Sequence, residues 1–535
     1  MANAEWLTMT QAMTILDRNA TWTAIEAHRP QPLAALFSGD PQRVVRLGRD
    51  VAGIYFDWSK THLDAALIAH FEALAEVADY GEAREALFSG AVVNLTEGRP
   101  ATHVAERGQG GADDNRIAAE QHMRMRSLVD AIEGGAFGEI EAVLHIGIGG
   151  SALGPDLIID ALGRDADRFD VRVLANIDGE AFDEAVGGLD PASTLVIGVS
   201  KTFTTIETLT NLGAAIEWLR EGGVEDPFGQ LIAVTASPGQ AVDFGIDETR
   251  VLPFNDSVGG RYSLWSTVGL SIALALGWGA YEELLEGAAE MDRHVRLTNG
   301  AANVALLAAF ADLFYTQVAG AQSRAVMAYD ERLRLLPDYL QQLEMESNGK
   351  SVTSDGKPLG RASAPVTWGG VGTDAQHAVF QLLHQGTAVI PVEFVAVIEN
   401  EDSLDPRHHQ MLLGNCFAQG AALMAGRAHE EREVGSPPAT QGHAGGMTDL
   451  SLARAYSGNR PSTTLLVERL DPRSLGALIA FYEHRTFANA VLLGINPFDQ
   501  FGVELGKEMA KKLDDEAGRA SLDPSTRDLI ERAGL

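Results

Sequence analysis

A lone cysteine, Cys416, stands among 535 residues, so an intrachain disulfide is impossible and a zinc knuckle is excluded. Basic residues are scarce: 41 Lys and Arg against 74 Asp and Glu give a formal charge of −33. Such a field repels nucleic acid and anionic membrane, so neither is expected as a partner. An anionic ligand would need a pocket made locally positive by a few cations and backbone amides. Long apolar runs are lacking too. The strongest, Leu264–Trp278, is interrupted by Ser266, Thr267, Ser271 and glycines and is too short and too polar to span a bilayer. The N-terminal stretch MANAEWLTMTQAM has an acid and no basic region, unlike a secretory signal. No short repeat or low-complexity tract is found. These absences predict a soluble, cytoplasmic protein.

What is present is ordinary globular material, 45% hydrophobic and 21% charged, with enough chain for several structural units. The first 115 residues read as helices, with apolar residues three and four apart over Trp22–Phe37 and Ser59–Tyr80. From Glu141 β-rich runs alternate with helical stretches: Ala142–Ile148, Val171–Ile177, Thr194–Val199, Leu231–Thr235 and Val251–Pro253. That alternation predicts βαβ units and a parallel sheet covered on both faces. Tyr262–Leu297 reads as helix. Strand candidates then return at Ala325–Tyr329, Phe394–Ile398, Thr464–Val467 and Val491–Ile495, with helices over His377–His384 and Leu475–Glu483. The expected class is α/β, with two doubly wound units and helical segments at both ends. The boundaries are set at 1–115, 116–283, 284–505 and 506–535. Arg427–Pro461, rich in Gly, Pro, Ser and charge, reads as an exposed excursion.

Six segments carry chemistry-bearing residues. His145-Ile-Gly-Ile-Gly-Gly150-Ser151-Ala152 runs from a strand through glycines into a helix, a turn that lets an anion approach backbone amides. The same residues satisfy G-x-G-x-x-A, with Asp178 after the next strand as a possible ribose-binding acid, so a nicotinamide-dependent oxidoreductase stays open. Ser200-Lys201-Thr202-Phe-Thr-Thr205-Ile-Glu-Thr208 gathers five hydroxyls and a lysine at the next βα junction. One helix cap needs one hydroxyl, so this run reads as a phosphate cradle. Arg261, after Gly259 and Gly260, is either an oxyanion stabiliser or a surface ion-pair partner. Gln342-Leu-Glu-Met-Glu346 closes a helix before Asn348-Gly349, and Glu346 is a candidate general base or a solvated carboxylate. His377 and His384 stand seven apart on one helix. Metal pairs on a helix are spaced by four, so His377 is an acid–base candidate or a structural histidine. Lys507 follows the turn Asn496-Pro-Phe-Asp-Gln500.

In order, HIGIGGSALGP, SKTFTTIET, VGGRYSLWS, MESNGK, AQHAVFQLLHQGT and FDQFGVELGK resemble the motifs of the glucose-6-phosphate isomerase family, over about Asn94–Lys512. The resemblance implies two sugar-isomerase-type domains and a homodimer. It also implies interconversion of glucose 6-phosphate and fructose 6-phosphate without cofactor or metal. By the same resemblance Gly150, Ser151, Ser200, Lys201, Thr202, Thr205, Thr208, Gly260, Gln342 and Gln500 bind the sugar phosphate. Glu346 is then the base between C1 and C2, and Arg261 the stabiliser of the enediolate. His377 would open the ring from the partner subunit, with Lys507 assisting. Asp374-Ala375, Ile206 and Phe501 depart from the family's usual residues without touching these side chains. A non-catalytic sugar-phosphate regulator is the remaining alternative, and it has no need of Glu346 or Lys507.

Overall fold

The computed structural model describes residues 18–164, 168–400, 404–427, 452–513 and 515–535. The N-terminal stretch read above and most of the 427–461 excursion lie outside them. After helices at 18–27, Leu33–Gly39 and Arg43–Leu47 the chain departs from the all-helical reading of its first 115 residues. It forms a hairpin, β1 (Gly48–Val51) and β2 (Ile54–Asp57), through a turn in which Ala52 and Gly53 have φ of 52° and 75°. Positive φ at both central positions is the type I′ geometry that suits the twist of paired strands. The strands are four residues long, too short for alternation to stand out. Their place is fixed by a strand more than 400 residues away, Ser462–Val467, with Asp57 opposite Thr464. A two-stranded ribbon, β3 (Val92–Asn94) and β4 (Arg99–Pro100), follows.

The first large sheet comprises β5 (Ala142–Ile146), β6 (Asp170–Leu174), β7 (Thr194–Val199), β8 (Leu231–Thr235) and β9 (Val251–Pro253). Its order is β6-β5-β7-β8-β9 and every pairing is parallel. The chain leaves β5 towards one edge and returns to β7 on the other side. The loops after β5 and β7 therefore diverge and open a crevice at the strands' carboxyl ends, where ligands sit in such sheets. The glycine turn and the hydroxyl-rich run are those two loops.

The second sheet runs β1-β2-β13-β12-β10-β11. Here β10 (Ser323–Tyr329), β11 (Val366–Val371), β12 (Val392–Val397) and β13 (Ser462–Val467) are mutually parallel and the hairpin is antiparallel. Its switch point lies between β10 and β12; Glu346 belongs to the connection that leaves β10 and His377 to the one that leaves the edge strand β11. β11 has no counterpart in the sequence reading, because Thr-Trp-Gly-Gly lacks the apolar run of a central strand. The predicted strand Val491–Ile495 is instead the end of helix Pro472–Leu493 and its αL cap at Gly494. That helix is buried almost all round, so its last turn reads locally like a buried strand.

One continuous core joins the two sheets through helices Leu270–Leu276, Trp278–Leu297, Val304–Leu313 and Pro472–Leu493. A Cβ at Gly287 would lie 1.8 Å from the Arg473 carbonyl oxygen, and one at Gly476 2.1 Å from that of Leu284. Glycine at both positions lets these two helices meet backbone to backbone. Among the described residues no helix is long and apolar enough to cross a membrane.

Candidate active site

The glycine turn is set from beneath by His145. Its Nε2 donates to the Ser151 carbonyl at 2.7 Å, so Nδ1 carries no proton and accepts from Ser271 Oγ at 2.9 Å. Burial pushes this imidazole down to about 4, so it stays neutral at neutral pH. Gly149 has φ of 56°. Gly150 lies against the segment that carries Arg261: a Cβ there would sit 2.3 Å from the Gly260 carbonyl carbon and 2.5 Å from Arg261 N. Gly150 and Gly260 thus meet in one backbone-to-backbone contact. Asp178, the candidate ribose acid, caps helix Gly179–Val186 by accepting from Glu180 N at 3.1 Å.

In the second loop Ser200 Oγ accepts from Phe203 N at 3.1 Å and pairs with Thr205 Oγ1 at 3.0 Å. Phe203 adopts φ of 51° with a buried ring, turning the chain sharply here. Thr205 is the N-cap of helix Ile206–Glu221 but makes no capping hydrogen bond, so the capping explanation for this run fails. Thr208 Oγ1 is buried without a hydrogen-bond partner among the described residues, an arrangement that calls for an external one. Thr202 pairs with Thr204 at 2.8 Å. Lys201 Nζ is held by the Asp256 carboxylate at 3.2 Å and the Val258 carbonyl at 3.2 Å. Burial and nearby Arg99 lower its pKa, and Asp256 opposes them.

A dense polar cluster forms where three distant segments meet. Arg261, on the 3₁₀ turn Gly260–Trp265, is 2% exposed. Its Nη1 donates to Glu346 Oε2 at 3.1 Å and to Gln500 Oε1 at 3.1 Å, its Nε to Ser347 Oγ at 2.7 Å, and its Nη2 to the Asp499 carbonyl at 3.1 Å. Gln342 Nε2 reaches the same Glu346 oxygen at 3.1 Å. Glu346 keeps 17% of its side chain accessible and borders a cleft of about 640 Å³ shared with Gln342, Lys350 and Gln500. It ends a π-helical turn, Gln341–Glu346, a distortion common at functional sites.

Support residues went unassigned in the sequence. Tyr262 OH bonds Ser347 Oγ at 2.9 Å and its ring stacks on His103. Lys350 Nζ ties the Glu346 carbonyl at 3.1 Å to Asp499 Oδ1 at 2.7 Å. Trp265 Nε1 donates at 2.7 Å to buried Glu483, which also pairs with Arg107. Each of these residues lies within a quoted motif or its packing, but adjacency in sequence does not tell support from solvent.

The sequence pattern of the family described as "Phosphoglucose isomerase" matches residues 57–530. The chain belongs to the phosphoglucose isomerase family. It is 61% identical over 513 residues to the glucose-6-phosphate isomerase of Sphingopyxis alaskensis, covering 96% of this chain and 98% of that one. The enzyme of the same name from Rhizorhabdus wittichii is 60% identical, covering 97% and 99%. Among solved structures, a glucose-6-phosphate isomerase from Chlamydia trachomatis superposes with a TM-score of 0.83 at 30% identity, covering 97% and 98%. Fold class and family resemblance thus agree with the sequence reading.

Two residues that the phosphoglucose isomerase motifs would assign to the chemistry stand apart from the cluster. His377 is exposed on the short helix Gly372–Ala378, and among the described residues it forms no hydrogen bond. The helix itself is anchored, with Tyr329 OH donating to Gln376 Oε1 at 2.7 Å and Gly372 seated on the Tyr329 ring. Lys507 lies on the exposed helix Glu504–Lys511, also without a hydrogen bond or ion pair among the described residues.

Proposed function

We propose that the chain interconverts glucose 6-phosphate and fructose 6-phosphate in glycolysis and gluconeogenesis, with Glu346 as the proton carrier and Arg261 as its electrostatic partner. The contact that carries this reading is Arg261 Nη1 to Glu346 Oε2 at 3.1 Å, joining the crevice of the first sheet to the π turn of the second unit. In the open-chain aldose Glu346 removes the C2 proton while negative charge develops on O1, beside the fixed guanidinium. The hydroxyl proton passes from O2 to O1. Glu346 then delivers its proton to C1, leaving the carbonyl at C2. Nothing is oxidised overall, so no external hydride acceptor is called for.

The phosphate is remote from these carbons and its binding energy holds the sugar in register. Ser151, Ser200, Thr202, Thr205 and Thr208 supply the cradle and Lys201 its charge. Gly150 and Gly260 supply the close backbone approach, and Gln342 and Gln500 steer the chain of hydroxyls. His377 is read as entering from a second copy, a reading supported by its exposure, its anchoring from behind and its lack of a hydrogen bond among the described residues. A homodimer with His377 crossing the interface, opening the ring with help from Lys507, fits that geometry. The reading carries a cytoplasmic location with it.

Fructose 6-phosphate incubated with the protein in deuterated water tests the reaction. Glucose 6-phosphate labelled at C2 is the expected product by proton NMR. Glu346→Gln is expected to bind fructose 6-phosphate while losing proton exchange by about 10³-fold or more. Exchange near the wild-type rate would remove Glu346 from this role.

A further inference from the structure

Beneath the π turn lies a charge cluster that the proposed chemistry never touches. Glu344, two residues before Glu346, faces inward and is 7% exposed. Its Oε1 accepts from Arg485 Nη2 at 2.7 Å, and its Oε2 from Thr367 Oγ1 at 2.7 Å and from Arg324. The two arginines are themselves fixed, Arg324 by Asp312 at 3.1 Å and Arg485 by Glu393 at 2.6 Å. Burial opposes the charge on Glu344, but Arg324 and Arg485 outweigh it and hold the carboxyl down to about 2. Two residues after Glu346, Asn348 is buried and its Nδ2 donates to the Thr486 carbonyl at 2.9 Å. The residues on either side of Glu346 are thus tied to neighbouring positions, Arg485 and Thr486, of one helix.

Buried ion pairs of this kind contribute little to stability over well-packed apolar side chains of the same volume; their attested use is to fix register. A π turn is a register irregularity, one residue more than an α-helical turn holds. A slip back to α geometry would swing the following side chain by about 100°, away from Arg261. A carboxylate gripped by three donors from β10, β11 and helix Pro472–Leu493 resists such a slip.

We infer that Glu344, seconded by Asn348, is a positioning residue that locks the π turn and so aims Glu346 at the substrate carbon. This rests on the reading of Glu346 as the base.

Glu344→Gln keeps the shape and removes the charge; Thr367→Val deletes one hydrogen bond without changing size. Positioning predicts that kcat for fructose 6-phosphate falls about tenfold to a hundredfold in Glu344→Gln and about threefold in Thr367→Val. KM should stay within about threefold, and C2 proton exchange should fall in step with kcat. Should Glu344→Gln fail to fold, Thr367→Val and Asn348→Ala decide, each assayed well below its own Tm. Folded variants with wild-type kcat, whatever their Tm, overturn the inference, and so does a loss confined to KM. Glu346→Gln assayed alongside keeps the two readings apart. Retained exchange there sinks the base assignment. Lost exchange there, with unchanged kcat in the other variants, sinks only the positioning.

Discussion

At the scale of single residues, the site is distinguished by polar groups whose needs the protein alone does not meet. Thr208 is the sharpest case, a buried hydroxyl with no partner among the described residues. Replacing a buried, unpartnered hydroxyl with a methyl of similar shape costs little. Thr208→Val is therefore expected to leave the Tm of the free protein unchanged or raised, while KM for fructose 6-phosphate rises about tenfold. Lowered stability with unchanged KM would place that hydroxyl outside the phosphate site. His145 makes the complementary point, since both its nitrogens are satisfied internally. The folded imidazole takes a proton only near pH 4, against an ordinary value of 6.5. Between those values the unfolded chain binds the proton and the folded chain does not, so acidification over that interval favours unfolding. Its ring resonances in a histidine-labelled sample should stay at their neutral positions down to pH 5. A midpoint near 6.5 would show that the buried hydrogen bonds are absent in solution.

Among elements, what matters is how closely backbones approach. The turn after β5 and the 3₁₀ turn bearing Arg261 touch through Gly150 and Gly260, and a single Cβ at position 150 would overlap three backbone atoms of the facing segment. Backbone cannot rotate aside as a side chain can, so Gly150→Ala has to push the two turns apart. The expected result is a fall in kcat/KM of about 10²-fold or more, from displacement of Arg261 by the better part of an ångström. The Tm should fall by no more than a few degrees, since the core helices are untouched. Activity within threefold of wild type would show that the contact is not needed for the reaction. The π turn Gln341–Glu346 belongs to this scale as well, since it sends Glu344 into the charge cluster and Glu346 to Arg261.

For the whole molecule the decisive issue is assembly. If each site takes Glu346 from one copy and His377 from the other, Glu346→Gln and His377→Ala complement each other. In their heterodimer one site carries both defects and the other carries neither. Mixing the two inactive proteins, with unfolding and refolding to exchange subunits, should restore about a quarter of wild-type activity in a statistical mixture. No recovery, with heterodimers demonstrated by native mass spectrometry, would confine both residues to one chain.

The sequence by itself determined a good deal here. The strands of the first sheet were legible, above all β5, β7 and β8, because a parallel sheet buried on both faces needs continuous apolar runs in its central strands. The run of five hydroxyls in nine residues stood out because it exceeds any capping need, and the ordered motifs carried the family. Other features were decided only by tertiary structure. The hairpin β1–β2 and strand β11 take their pairing from partners remote in the chain, and local pattern carries no trace of a distant edge. The end of helix Pro472–Leu493 reads as a strand because burial on every side erases the periodicity that marks a helix. Arg261, Glu346 and Gln500 are ordinary residues along the chain. They become a site because backbone-to-backbone packing of two sheets' loops and a C-terminal turn brings them to about 3 Å. Spacing in sequence cannot express such convergence, because it depends on the path of the chain between the residues.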